Sequence, residues 1–136
     1  MANRWLLKTE PTAYSWAQLE RDGRTVWDGV KNALALRHLS AVEEGDEALV
    51  YHTGDEKAAV GIARVVRGAH PDPKQKDPRL VVIELEPLRA LPHPVRLADM
   101  RANRKLAGFD LLRLPRLSVM PVSAAHWAAI MEMAKR

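Results

Sequence analysis

Trp27-Asp28-Gly29-Val30-Lys31-Asn32 joins an extended segment to the start of a helix, and within about one turn it presents an aromatic plane, a carboxylate, a permissive glycine and an amide. Upstream, Thr25-Val26-Trp27 reads as a brief extended piece, set off by Asp22-Gly23 from a short helix that starts at Trp16. Downstream, Asn32, Ala35, Leu36 and Leu39 recur at i, i+3, i+4 and i+7, which predicts a helix over 30–42 with these residues on its inward face and Val42 extending the stripe. An inward Asn32 needs a partner, because a buried amide left unpaired costs about 1–3 kcal/mol. Two partners are open to it: the backbone at its own helix N-terminus, or the polar edge of a ligand on a pocket floor.

Before this stretch, Arg4-Trp5-Leu6-Leu7-Lys8-Thr9 reads as a first strand, stopped at Glu10-Pro11 because proline forces its predecessor out of the helical region. Ser15 and Gln18 match a capping box, with Tyr14 and Leu19 where a hydrophobic staple would place them. After it, Gly45-Asp46 closes the helix and Glu47-Ala48-Leu49-Val50-Tyr51-His52 forms a strand. Residues 59–66 return as its hairpin partner, and Gly61 marks a bulge or a close backbone approach.

Residues 71–78 are too rich in proline and charge for regular structure, and their Lys74 and Lys76 can reach phosphate. Leu80-Val81-Val82-Ile83-Glu84-Leu85-Glu86 is the densest β-branched run; Pro87 ends it, and Pro92 and Pro94 bracket a further turn. Residues 97–102 supply one or two helical turns, 106–114 a short irregular segment around Gly108, and 116–122 an extended run. Ser123 caps a final helix with Trp127, Ile130, Met131 and Ala134 on one face and Trp127 in the core. Short central strands, flanking helices and no regular strand-helix alternation predict a small α+β domain around a curled, barrel-like sheet.

A chain of 136 residues fits one domain with a core of its own, here spanning 1–136. The absence of cysteine excludes disulfides, thiol catalysis and Cys-ligated zinc, and agrees with a cytosolic or nuclear setting. No run approaches a membrane span or a signal-peptide core, so a soluble intracellular monomer without membrane contact is expected. The net charge of +4 and the 14 arginines against 7 lysines favour a phosphate-bearing partner, although genomic base composition alone also enriches arginine.

The chemistry-bearing motifs are mostly excluded. There is no phosphate-binding glycine loop, no dinucleotide GxGxxG and no HExxH, and the five scattered histidines have no metal-ligand spacing, so neither a metal nor a cofactor is expected. A serine nucleophile needs a sharp turn, whereas Ser15 is a cap and Ser118 lies in an extended run. Glu10 and Asp28 with His52 can in principle do acid-base work. The aromatics Trp5, Tyr14, Trp16, Trp27 and Tyr51 gather near strand ends and turns, and a flipped base is held by stacking on such rings and by hydrogen bonds to its edge. Trp27 beside Asn32 offers both.

Several blocks resemble the EVE domain family: Trp5-Leu6-Leu7-Lys8-Thr9-Glu10-Pro11 with Tyr14-Ser15-Trp16, the stretch 27–32, Gly45-Asp46 with Tyr51-His52, Gly61-Ile62-Ala63, and Arg116-Leu117-Ser118-Val119-Met120-Pro121-Val122. The resemblance implies a PUA-like fold, a curled β-barrel of short strands flanked by helices, related to the YTH domains that read methylated adenine in RNA. It implies a non-catalytic reader of modified bases, modified cytosine such as 5-methylcytosine foremost, with the base flipped into an aromatic-lined pocket. Trp16 and Trp27 would form the walls and Asn32 the polar edge, with Ser15, Tyr51, His52 and Ser118 around them. Lys8, Arg37 and Arg116 would face backbone phosphates, and Glu10 and Asp28 would be structural. This chain departs from the family pattern after Asn32, where Ala33, Leu34 and Leu36 stand at positions that commonly carry tyrosine, glutamine and arginine.

Three functions are therefore expected in order: a reader of a modified base in DNA or RNA; a PUA-like RNA-binding module with no modification requirement, carried by the basic balance and Lys74 to Lys76; and a small hydrolase of modified nucleotides using His52 and a carboxylate.

Overall fold

The computed structural model describes residues 2–135. Strand β1 (Arg4–Thr9) leads through a turn to α1 (Trp16–Asp22), and β2 (Thr25–Trp27) then leads through the 28–32 loop to α2 (Ala33–Leu39). The hairpin of β3 (Glu47–His52) and β4 (Ala58–Pro71) follows, and β5 (Val81–Arg96) pairs back along β4. Helix α3 (Leu97–Arg101), a single 3-10 turn, α4 (Asp110–Arg113), β6 (Val119–Pro121) and α5 (Ala124–Ala134) complete the chain.

The six strands form one sheet in the order β2-β5-β4-β3-β1-β6. Only β1 and β3 run parallel, in register from Arg4 opposite Glu47 to Thr9 opposite His52. Register shifts interrupt β4 against β5 at four places and β3 against β4 at Val50/Tyr51, and such bulges bend and twist the long strands into a curl. The two edges, β2 and β6, are three residues each, too short to recruit a foreign strand readily. Leu6, Leu7, Leu49, Ile62, Ile83 and Leu85 fill the interior with no exposure at all.

Beneath β1 lies a buried carboxylate. Asp46, 3 % exposed, accepts the Trp5 indole N–H at 2.9 Å, the Glu43 amide at 3.0 Å and the Asn3 amide at 3.0 Å. Three N–H donors offset much of the cost of removing that charge from water, and they tie the N-terminal strand to the loop before β3.

Four expectations need correction. Helix α2 is shorter than 30–42: it begins after Asn32 and stops at Leu39, with Ser40 as its C-cap, so Gly45-Asp46 does not close it. The Val42 side chain is still buried, and its carbonyl accepts from Ala69 of β4 at 3.1 Å. Asn32 is not on the inward stripe. It is exposed, and its Oδ1 accepts the Ala35 amide at 3.0 Å, the capping alternative. Replacing Asn32 with alanine should cost about 1 kcal/mol, read as a lower urea midpoint.

The prolines are the third correction. Pro87 does not end β5, and Pro92 and Pro94 lie within it. The reason is that β2 pairs only with residues 83–85, so from Pro87 onward β5 bonds to β4 alone and its other edge needs no donor. Finally, the run 116–122 is strand only over β6.

Gly61 behaves as its place in the strand suggested. A Cβ there would lie 2.5 Å from Trp16 Cε2, so the indole of α1 rests directly on β4 backbone at a bulge.

Candidate functional site

An open cavity of about 460 Å³ sits where β1, the α1 approach and β2 converge. Lys8 and Thr9 from the end of β1, Ala13 and Tyr14 from the turn, and Ser118 close one side. Thr25, Val26 and Trp27 of β2 and the loop residues Asp28 to Lys31 close the other. Gly29 turns that loop at φ +79°, a conformation that side-chain-bearing residues adopt with strain, and so lets Asp28 and Lys31 both border the opening.

The walls are aromatic. Trp27 and Tyr14 stand almost perpendicular, at 87° with ring centroids 6.3 Å apart, forming a corner. The Tyr14 hydroxyl donates to Asp22 Oδ2 at 2.7 Å. Burial first, then the nearby Asp22 carboxylate, push the phenol up from its ordinary value despite an opposing bond from Thr25, so it stays protonated as a donor. Lys8 Nζ donates to the Pro115 carbonyl at 2.8 Å and sits 5.9 Å from the Tyr51 ring centroid. Partial burial lowers the Lys8 amine from its ordinary value.

Of the residues expected from the sequence, Lys8, Trp27 and Ser118 meet in this lining. Tyr51 is buried beside Lys8, and Arg37 and Arg116 are exposed without lining the cavity. Ser15 is engaged in its capping box, accepting from the Gln18 amide at 3.1 Å while its own amide donates to Gln18 Oε1 at 2.7 Å. Trp16 is 6 % exposed and lies against Gly61 instead of in the wall. Asn32 caps α2 just past Lys31, outside the lining. Tyr14, Thr9 and Thr25 are cavity residues that the sequence reading did not assign. The sequence places Tyr14 in the hydrophobic staple of α1, and its pairing with Trp27 depends on how α1 docks.

His52 has no free nitrogen. Its Nε2 accepts the Trp16 amide at 3.0 Å, so Nδ1 carries the hydrogen and donates to Glu56 at 2.8 Å. The imidazole thereby supplies an acceptor to an orphan N–H in the first turn of α1, buried at 7 % exposure. His52→Ala should destabilise the protein by about 2–4 kcal/mol, from an unpaired amide plus a cavity, measurable by thermal or urea unfolding. Unchanged stability would refute this anchoring role. Glu10, the other candidate for acid-base work, contacts Thr12 and Thr53 in its own turn region, its oxygens 3.3 Å from each hydroxyl.

A larger groove of about 660 Å³ lies elsewhere, between β5 near His93 to Val95, the segment around Asn103 to Lys105, and α5. It contains no Trp, Tyr or Phe and none of the expected site residues. Among the described residues no three His, Asp or Glu side chains are grouped to hold a metal ion, and no helix is long and apolar enough to cross a membrane.

The curled six-stranded sheet with flanking helices matches the PUA-like fold. Within that class, the EVE domain family model matches residues 3–133, and the chain belongs to the EVE domain family. A Rhodopseudomonas palustris protein solved by NMR is similar at 37 % identity, with 98 % of this chain and 94 % of that one covered and a TM-score of 0.93. An Agrobacterium tumefaciens crystal structure is similar at 33 % identity, covering 98 % and 93 % of the two chains, with a TM-score of 0.94. The crystal structure of human THYN1 in complex with 5-methylcytosine containing DNA shares the fold at 23 % identity, 99 % coverage of both chains and a TM-score of 0.92. Thymocyte nuclear protein 1 of Homo sapiens is 22 % identical over 170 residues, covering 100 % of this chain and 76 % of that protein.

Proposed function

We propose that this protein is a non-catalytic reader that takes a modified base, modified cytosine foremost, flipped out of a DNA or RNA strand into the cavity between Trp27 and Tyr14. The observation that carries the reading is the perpendicular aromatic corner in a cavity bordered by polar groups. One ring stacks on a base face, the other meets its edge, and Thr9, Asp28 and Lys31 offer hydrogen-bonding groups beside them. Lys8, held at the cavity with its charge partly desolvated, suits a neighbouring phosphate, and the exposed Arg37 and Arg116 extend the basic surface.

Two further facts support the reading. A protein of the same fold, human THYN1, has been crystallised with 5-methylcytosine containing DNA. A hydrolytic role for His52 is disfavoured because both ring nitrogens are committed to structural partners.

The test is fluorescence anisotropy with matched oligonucleotides carrying cytosine, 5-methylcytosine or 5-hydroxymethylcytosine, single- and double-stranded, at fixed salt. Tighter binding to a modified strand is expected. Equal affinity for all three would end modification reading, and salt-sensitive binding to unmodified folded RNA would then favour a plain RNA-binding module.

A further inference from the structure

The β2 strand is a rib with a cleft on each side. Val26 and Asp28 border the aromatic cavity and also a second cleft of about 270 Å³, closed by Arg67 and His70 of β4, Lys74 of the following loop and Glu84 of β5. Side chains alternate along a strand, so Trp27 and its neighbour Val26 point to opposite faces of the rib. Val26 is 50 % exposed, an apolar surface between two openings.

The charges of this cleft do not suit a phosphate. Arg67 and Lys74 line it together with the carboxylates of Asp28, Asp72 and Glu84. Glu84 already accepts from Arg24 at 2.8 Å and from Arg67 at 3.3 Å, and Asp72 accepts the Lys74 amide at 2.9 Å. An anion would meet three carboxylates and an Arg67 already engaged by Glu84, whereas a neutral flat group with donors and acceptors on its edge would not be repelled.

His70 sharpens the chemistry. Its Nδ1 lies 2.8 Å from the Gly68 carbonyl oxygen, which can only accept, so Nδ1 carries the hydrogen. With the ring neutral, Nε2 then presents a lone pair, and it lies 3.6 Å from Glu84 Oε2. In that neutral form two acceptors stand side by side with no hydrogen between them. A single amino group with two N–H bonds can donate to both.

We propose that this cleft is a second base subsite, which receives the nucleotide adjoining the modified one and favours bases whose pairing edges carry an exocyclic amino group, adenine, cytosine or guanine, over thymine. The inference rests on the reading of the aromatic cavity as the modified-base site, because it places the next nucleotide of the same strand across a rib one strand thick.

The experiment uses the full chain and single-stranded oligonucleotides with one central 5-methylcytosine, varying the base on each side among adenine, cytosine and thymine. It is run at one pH and one salt concentration for all strands. On one side of the modified base, adenine and cytosine should bind about fivefold or more tightly than thymine, the size of one or two net hydrogen bonds. Replacing that adenine by purine, which lacks the amino group, should cost the same factor. His70→Phe should level the preference while keeping the ratio of modified to unmodified affinity. Indifference to both neighbours, full affinity for the purine substitution, or a preference that survives in folded His70→Phe would overturn the second subsite. Equal affinity for modified and unmodified strands would instead strike the reading of the aromatic cavity.

Discussion

Replacing Trp27 with alanine should weaken binding to a 5-methylcytosine oligonucleotide by about 10- to 100-fold, because stacking on one aromatic face contributes about 1–3 kcal/mol per base. The indole supplies one wall of the cavity, and Tyr14, meeting it edge-on at 87°, cannot present its face in the same plane. Trp27 is also 8 % exposed and belongs to the core, so the alanine variant should lose about 3–5 kcal/mol of stability. Trp27→Phe separates the two effects: it keeps most of the packing and a smaller stacking face, and should bind with an intermediate affinity. Both variants are to be compared at low temperature after circular dichroism shows them folded. A folded Trp27→Ala protein with wild-type affinity would remove Trp27 from the site.

Gly61→Ala should destabilise the fold by about 2–4 kcal/mol, a large effect for one methyl group. The new Cβ would lie 2.5 Å from Trp16 Cε2 and 2.6 Å from Cδ2 and Cζ2, inside any real contact distance. The indole has little room to withdraw. Its backbone amide is bonded to His52, and α1 is held at its start by the Ser15-Gln18 capping box. Urea unfolding reads the loss directly. The cause is checked by a double-mutant cycle with Trp16→Phe, whose smaller ring should recover part of it, giving a combined cost below the sum of the single ones. Additive effects would mean that the clash is not with Trp16.

Much of the architecture was legible in the residues because it is written locally. The limits of β1 and β3 follow from apolar runs bounded by proline, glycine and charge, and the structure places them at Arg4–Thr9 and Glu47–His52. The starts of α1 and α5 follow from Ser15 and Ser123, whose side chains accept from the Gln18 and His126 amides. The same local rules misread β5. Proline is a strand breaker only where a donor is required, and whether one is required depends on the neighbouring strand, which the residues around Pro87 cannot specify.

The site divides in the same way. Trp27, Lys8 and Ser118 were singled out from the sequence and do line the cavity. Helical spacing extended back to Val30 predicts an inward Asn32; at the N-cap its side chain instead folds onto its own helix start. Trp16 and Tyr14 are two residues apart, yet one is sealed against β4 and the other opens onto the cavity. Nothing in their immediate surroundings distinguishes them.

From the sequence alone came an α+β chain with its helix caps, its first strands, a close approach at Gly61 and an aromatic turn at Trp27, all features set by short-range sterics and hydrogen bonding. The tertiary structure alone decided which aromatic ring opens onto the cavity and which meets backbone, and that both His52 nitrogens are engaged. These are decided by the docking of α1 across the curled sheet, where a bulge in β4 leaves room for one indole, and that contact joins residues too far apart in the chain for any periodicity to record.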